Sequence, residues 1–389
     1  MPASTTDKPL SIVYITPALY LRGGVERVLT MKANYLADSL GYDVTIILTE
    51  GKDKPYAYPL SDRVRVVNLD IGFEQLWTCS FVKKIVVYLR KQRRYRRLLT
   101  AELMRLRPDI TDSLLRREIN FITSIKDGSR KIGELHVNRA NYRNFEAGET
   151  NALKALFARL WMRNLVGHLR RLDRFVVLTE EDRAAWSELH NVVAIPNPVA
   201  FSHAQQSPLT EHRVIAVGRY VYQKGFDMLL EAWQSVERRC PSWRLDIFGD
   251  GDRQPYELMI DRLQLDRRRC RLHPSTQDIQ QEYAASSLCV FSSRFEGFGM
   301  VLLEAAACGL PMVSFACPCG PRDVITDGTD GLLVQNGDVA QLADKMVWLM
   351  QRPDEIARMG HAAARKAKRY SMEQIGARWK QLFDDVMAR

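Results

Sequence analysis

Short apolar runs alternate with stretches of helical spacing along most of the chain. Residues 11–19, SIVYITPAL, form an apolar run that reads as a strand. A Gly-Gly turn follows, and Val25, Val28, Leu29, Leu36 and Leu40 then recur as one face of a helix. Further strands are expected at 42–50, 63–70, 108–115, 130–138, 174–182 and 191–199. Residues 197–213 break the rhythm: they are polar, carry prolines and show little periodicity, as a linker between domains does. The alternation restarts at RVIAV (213–217) and continues through WRLDIF, CRLH, SLCVFSS, PMVSFA and GLLV. Alternating strands and helices predict an α/β fold with parallel sheets covered on both faces. Two doubly wound Rossmann-like halves, 1–197 and 198–370, are expected to face a cleft, with ligands at the carboxyl ends of the strands.

Candidate chemistry gathers where strands end. In residues 293–314, SRFEGFGMVLLEAAACGLPMVS, a strand leads through a glycine loop into a helix. Glu296 falls in the loop and Glu304 about one turn into the helix. A helix start offers free N–H groups and a positive dipole end to a phosphate. Carboxylates on either side accept from sugar hydroxyls. The plain alternative is two solvated glutamates. In GRYVYQKGFD (218–227), Arg219 and Lys224 suit a diphosphate clamp or are merely a basic turn. In RGGVER (22–27), Gly23 and Gly24 allow an anion near the backbone, but the GxGxxG spacing is absent. His136 ends a strand, in a structural or a functional role. FGDGD (248–252) reads as a turn before the next helix rather than as a metal site.

These segments resemble, in order, the retaining GT-B glycosyltransferases of family 4, including members of bacterial surface polysaccharide synthesis. VGRYVYQKGFDMLLEAW, IFGDGD, FSSRFEGFGMVLLEAAACGLPMVSF, GPRDVITDGTDGLLV and YSMEQIGARW carry the likeness, with Glu296 and Glu304 as its Glu-x7-Glu element. The resemblance implies that Arg219 and Lys224 hold the diphosphate of a nucleotide sugar. It puts Phe298, Gly299, Met300 and Val301 around the donor, Glu304 on the ribose and Glu296 on the transferred sugar. Gly24 then approaches phosphate, and His136 serves the sugar and acceptor. A terminal helix, 371–389, is expected to pack back on the first domain. No metal or other cofactor is expected, because Arg, Lys and the helix dipole meet the leaving-group charge. One departure is the loop HPST (273–276), where the family usually has a glycine beside the nucleotide base.

Composition adds a location and a partner. Of 389 residues, 46% are hydrophobic, enough for two sizeable cores, and no apolar run is long enough to span a bilayer. MPASTTDKPL lacks a signal-peptide core, and seven scattered cysteines suit reduced thiols in the cytoplasm. The CPC at 317–319 has the wrong spacing for zinc or a redox pair. Net charge is +10, and residues 83–107 alone hold ten Lys or Arg against one Glu. Their apolar set, Ile85, Tyr88, Leu89, Tyr95, Leu99 and Leu106, makes this a basic amphipathic helix. It suits an anionic membrane surface, through Arg93, Arg94, Arg96 and Arg97, or a solvated face packed on the sheet. Nucleic-acid motifs are missing. The expectation is a hexosyl- or N-acetylhexosaminyltransferase with a UDP-linked donor and a lipid-linked saccharide acceptor. It would be peripheral at the inner face of the plasma membrane. The alternatives are a same-fold epimerase or phosphorylase, or a non-catalytic sugar-nucleotide or membrane-binding protein.

Overall fold

A computed structural model of the protein describes residues 8–74, 81–142, 152–201 and 203–389. The chain divides into two compact units. The first is Met1–Val177, Arg183–Ile195 and Gly376–Arg389, and the second is Leu178–Asp182 and Pro196–Ile375.

In the first unit β1 (Ser11–Thr16) leads into α1 (Gly24–Asp38), then β2 (Asp43–Leu48) and β3 (Arg65–Asn68). α2 (Phe81–Leu106), β4 (Ile110–Ser113), β5 (Arg130–Glu134), α3 (Ala152–Leu169) and β6 (Arg174–Val177) follow. α4 (Glu180–Ala185) begins in the second unit and leads to β7 (Val192–Ala194). Seven parallel strands lie in the order β3-β2-β1-β4-β5-β6-β7. Every residue of the central β1 is buried, which is why that strand is apolar without alternation. Ile12 pairs with Val44 on one side and Ile110 on the other, so strand order reverses between β1 and β4.

In the second unit the strands are β8 (Arg213–Val217), β9 (Arg244–Phe248), β10 (Cys270–His273), β11 (Leu288–Phe291), β12 (Met312–Phe315) and β13 (Gly331–Val334). They alternate with α5 (Phe226–Arg239), α6 (Gln254–Arg262), α7 (Ile279–Ala284), α8 (Met300–Ala307) and α9 (Pro321–Val324). α10 (Val339–Met350), α11 (Pro353–Ala367) and α12 (Met372–Met387) close the chain. The sheet is again parallel, in the order β10-β9-β8-β11-β12-β13, and reverses between β8 and β11. One face of it buries Leu229, Trp233 and Val236 of α5 against α10 residues such as Met346. The other packs Leu302, Leu303 and Ala306 of α8 against Phe291 and Met312. From Gly376 onward, α12 belongs to the first unit, where Trp379 and Phe383 are buried and Arg378 donates to the Ala194 carbonyl at 2.7 Å.

The two parallel sheets are those the alternation predicts. The strands are shorter than the apolar runs, because each run continues past its last ladder bond into a loop. Two details differ. The stretch 197–213 is no free tether: Gln206 donates to the Ala307 carbonyl at 2.6 Å and the Ser207 amide to that of Cys308 at 2.8 Å. Its scarce periodicity reflects a segment held by such bonds rather than by a regular face. In α2 the buried positions are Tyr95, Leu99 and Leu103, whereas Leu89 is 51% exposed. Leu89 lies off the stripe that 95, 99 and 103 define at helical spacing. The side chain of Ile85 lies outside the described residues.

Candidate active site

In an open doubly wound sheet, ligands bind beyond the strand ends where the order reverses. In the second unit that point lies after β8 and β11. After β8 comes the turn 218–225, with Arg219 and Lys224, and after β11 the loop 292–299, with Glu296 and Gly299. Close backbone contact joins the two segments. The Arg294 amide donates to the Gln223 carbonyl at 2.8 Å, Gln223 Nε2 to the Phe295 carbonyl at 3.0 Å, and Ser292 Oγ to the Lys224 carbonyl at 2.9 Å. Gly225 is left-handed at φ 61°, and a Cβ there would sit 2.1 Å from the Ser292 carbonyl oxygen, so only glycine fits. Arg294 pairs with Asp227 at 2.8 Å and lies over the Tyr222 ring at 4.0 Å, bracing the same turn.

The result is a direct contact that the sequence did not display: Lys224 Nζ lies 2.7 Å from Glu296 Oε1, both largely buried. Arg219, from the same turn, is exposed and makes no ion pair among the described residues. Gly299, at φ 85°, turns the chain into α8. The Leu302 amide already bonds to the Gly299 carbonyl. The amides of Met300 and Val301 are therefore the open donors of this helix end. Both residues are half-buried. The Phe298 side chain belongs to the core, 6.3 Å from the Tyr370 ring, so only its backbone is available to the loop.

Glu304 is buried on α8 and accepts from Tyr283 Oη at 3.2 Å. Burial first, and then the neighbouring Glu304 charge, push the Tyr283 phenol well above its ordinary pKa, so it stays a donor. Tyr283 comes from α7, and no local pattern connects it to Glu304. At the HPST loop, His273 Nε2 lies 2.6 Å from Asp246 Oδ1 and its ring stacks on Phe248 at 4.4 Å. Behind Glu296, its own amide donates to the Pro318 carbonyl at 3.2 Å, and the Cys317 thiol is pushed up by burial and by the Glu296 charge. The six described cysteines are free and buried. Among the described residues no three His, Cys, Asp or Glu side chains gather as a metal-binding group. Asp252 closes the turn before α6, accepting from the Gln254 amide at 3.0 Å.

The first unit holds the other two candidates, one after β1 at its reversal point and one after β5, the strand beyond β4. Gly24 opens α1 after β1; it is exposed, and a Cβ on it would meet nothing within 4 Å. His136 follows β5, with its side chain 8% exposed and Nε2 3.2 Å from Glu134 Oε2. In the first turn of α1, Glu26 is raised by burial, with Arg116 and His136 acting against the rise.

Parallel sheets with a basic turn, a glycine loop and a helix start at the reversal point define the doubly wound class, in which ligands lie at such a point. Residues 211–352 match the family Glycosyl transferases group 1, and the two parallel sheets form a GT-B fold. The chain is similar to an uncharacterized glycosyltransferase of Haemophilus influenzae, 27% identical over 212 residues, 54% of this chain and 60% of the relative. It is also similar to the amylovoran biosynthesis glycosyltransferase AmsD of Erwinia amylovora, 31% identical over 225 residues, 54% of this chain and 62% of the relative. The chain thus spans less than two thirds of these curated relatives. Among solved structures, sucrose-phosphate synthase from Thermosynechococcus elongatus matches with TM-score 0.80 and 18% identity, over 98% of this chain and 99% of that one. Anabaena HepE in complex with UDP matches with TM-score 0.74 and 17% identity, over 97% and 100%.

Proposed function

We propose that the protein is a retaining glycosyltransferase. It moves a hexose or N-acetylhexosamine from a UDP-linked donor to a lipid-linked saccharide of surface polysaccharide synthesis. The observation that carries this reading is the Lys224–Glu296 contact at the β8/β11 reversal, beside the open amides of Met300 and Val301. A cation, a carboxylate and free helix-end amides in one place fit a diphosphate with a sugar attached. The names of similar proteins agree: one acts in amylovoran biosynthesis, and another was solved with UDP.

In this reading the acceptor hydroxyl forms a bond to the anomeric carbon as that carbon's bond to the β-phosphate oxygen breaks. The hydroxyl proton leaves with the nucleoside diphosphate. Arg219, Lys224 and the α8 amides meet the growing phosphate charge, so no divalent cation is needed. Glu304 accepts from the ribose, and Glu296 holds the transferred sugar while Lys224 fixes its carboxylate. Gly299, Met300, Val301 and the Phe298 backbone surround the donor. Gly24 and His136 act for phosphate and acceptor.

The acceptor's lipid anchor fits a peripheral place at the inner face of the plasma membrane. Arg93, Arg94, Arg96 and Arg97 are all exposed on α2, and Val86 and Leu89 are exposed nearer its start. Cations beside exposed apolar side chains suit an anionic lipid surface. Among the described residues no helix is long and apolar enough to cross a membrane.

The test is a panel of nucleotide sugars offered with membrane lipid extract, with product mass read by mass spectrometry. A lipid carrying one added hexose or N-acetylhexosamine, with release of UDP, is expected. An isomerised donor, or sugar 1-phosphate formed from inorganic phosphate, would replace this reading with an epimerase or a phosphorylase.

A further inference from the structure

The buried face of α1 includes Val28, Leu29, Leu36 and, between them, Lys32, which is only 2% exposed. Helical spacing calls for an apolar residue at 32. The Lys32 ammonium instead pairs with Glu134 Oε1 and lies 3.8 Å from the Trp379 ring centroid and 4.7 Å from that of Tyr14. Replacing a buried ion pair by apolar residues is often neutral or stabilising, so stability gives this pair little reason to exist.

Its geometry points to His136. The second oxygen of Glu134, Oε2, is 3.2 Å from His136 Nε2. A carboxylate only accepts, so Nε2 carries the hydrogen. Nδ1 is buried with no hydrogen-bond partner among the described residues. In the neutral ring it is therefore a lone pair waiting for a donor. Asp112 on β4 completes the cluster: among the described residues neither of its oxygens has a hydrogen-bond partner, and burial first, then the Glu134 charge, raise its carboxyl well above the ordinary range. Burial would raise the Glu134 carboxyl. The Lys32 charge and the bond and charge of His136 act against that rise and hold the group down to about 2.

We infer that Lys32 and Glu134 are positioning residues that fix His136 in its Nε2–H tautomer, so that Nδ1 accepts a hydrogen bond from a sugar hydroxyl. Without Lys32, Glu134 would take up a proton and donate to Nε2, which reverses the tautomer and turns Nδ1 into a donor. The hydroxyl belongs to the transferred sugar or to the acceptor. The inference deepens the proposed transfer and rests on it for the identity of the ligand.

Two measurements test it. Nitrogen-15 NMR of histidine-labelled protein, with His136→Gln to assign the resonance, reads the tautomer without any substrate. The wild type should show a bare Nδ1 and a protonated Nε2. Glu134→Gln should give a mixture. So should the uncharged pair Lys32→Met with Glu134→Gln, which leaves no lone buried charge and so guards against simple misfolding. In transfer assays both variants should lose about tenfold to a hundredfold in kcat with donor KM within about twofold. If hydrolysis of the donor without acceptor falls equally, the hydroxyl is on the transferred sugar; if only transfer falls, it is on the acceptor. A protonated Nδ1 in the wild type, or a folded double variant that keeps the wild-type tautomer, overturns the inference. Wild-type protein that turns over no nucleotide sugar sinks the proposed function instead, while the tautomer still decides the positioning role.

Discussion

Glu296 and Glu304 sit in different surroundings, and the difference separates their expected effects. Glu304 is buried on α8 and held by Tyr283, whereas Glu296 is paired with the Lys224 ammonium. Glu304→Ala should raise donor KM, by about tenfold or more, since a ribose contact serves ground and transition states alike. Glu296→Ala should instead lower kcat. Steady-state kinetics with unchanged constants for both would remove them from the site. Asp112 makes a prediction about pH. Burial first, and then the Glu134 charge, raise its pKa well above the ordinary value, so the folded state keeps a proton that the unfolded chain releases. Stability therefore falls as pH rises above the usual carboxylate range, by up to about 1.4 kcal/mol per unit. Glu134 runs the other way: its contribution is complete above its unfolded pKa and is lost only as pH drops through about 2, so it is constant from pH 5 to 8. Asp112→Asn should be more stable than wild type by an amount that grows between those two pH values, read from denaturant midpoints. An equal difference at both would contradict a buried, protonated Asp112. Residue by residue, the sequence displayed the two glutamates and the basic turn but not what they touch. Tyr283 reaches Glu304 from another helix, and Lys32 occupies a position the helical pattern reserves for apolar side chains.

At the scale of elements, α2 shows what a pattern can and cannot assign. Its charge and its helical character were plain in residues 83–107, and Tyr95 and Leu99 are buried as their spacing requires. The same reading put Leu89 in the apolar set, yet it lies off the stripe of Tyr95, Leu99 and Leu103 and is exposed. Its exposure, with that of Val86 and the four arginines, makes a vesicle experiment specific. Each outward Lys or Arg contributes about 1 kcal/mol at an anionic surface and less as salt shortens the Debye length. Replacing Arg93, Arg94, Arg96 and Arg97 with Gln should release the protein from anionic vesicles in co-sedimentation while donor hydrolysis in solution continues. Wild-type protein that stays in the supernatant at low salt would leave α2 a solvated helix. The turn 218–225 is the opposite case. Its glycines were visible, but the need for Gly225 comes from the Ser292 carbonyl, a contact 67 positions away in the chain that only the assembled sheet reveals.

For the whole molecule, the alternation of apolar runs fixed two parallel sheets, because parallel strands buried on both faces leave continuous apolar segments. Strand order was less accessible: nothing in β8 or β11 names the other as its neighbour, yet their adjacency puts Lys224 beside Glu296. The central claim is that the loops after these two strands bind a nucleoside diphosphate without a metal. Titration calorimetry of UDP in the presence of EDTA tests it most directly, on the wild type and on Arg219→Ala combined with Lys224→Ala. The wild type should bind, and the double variant should bind at least about a hundredfold more weakly, as the loss of two charge-assisted contacts requires. Wild-type protein that binds UDP only when magnesium or manganese is restored, or a double variant with unchanged affinity, would contradict the account.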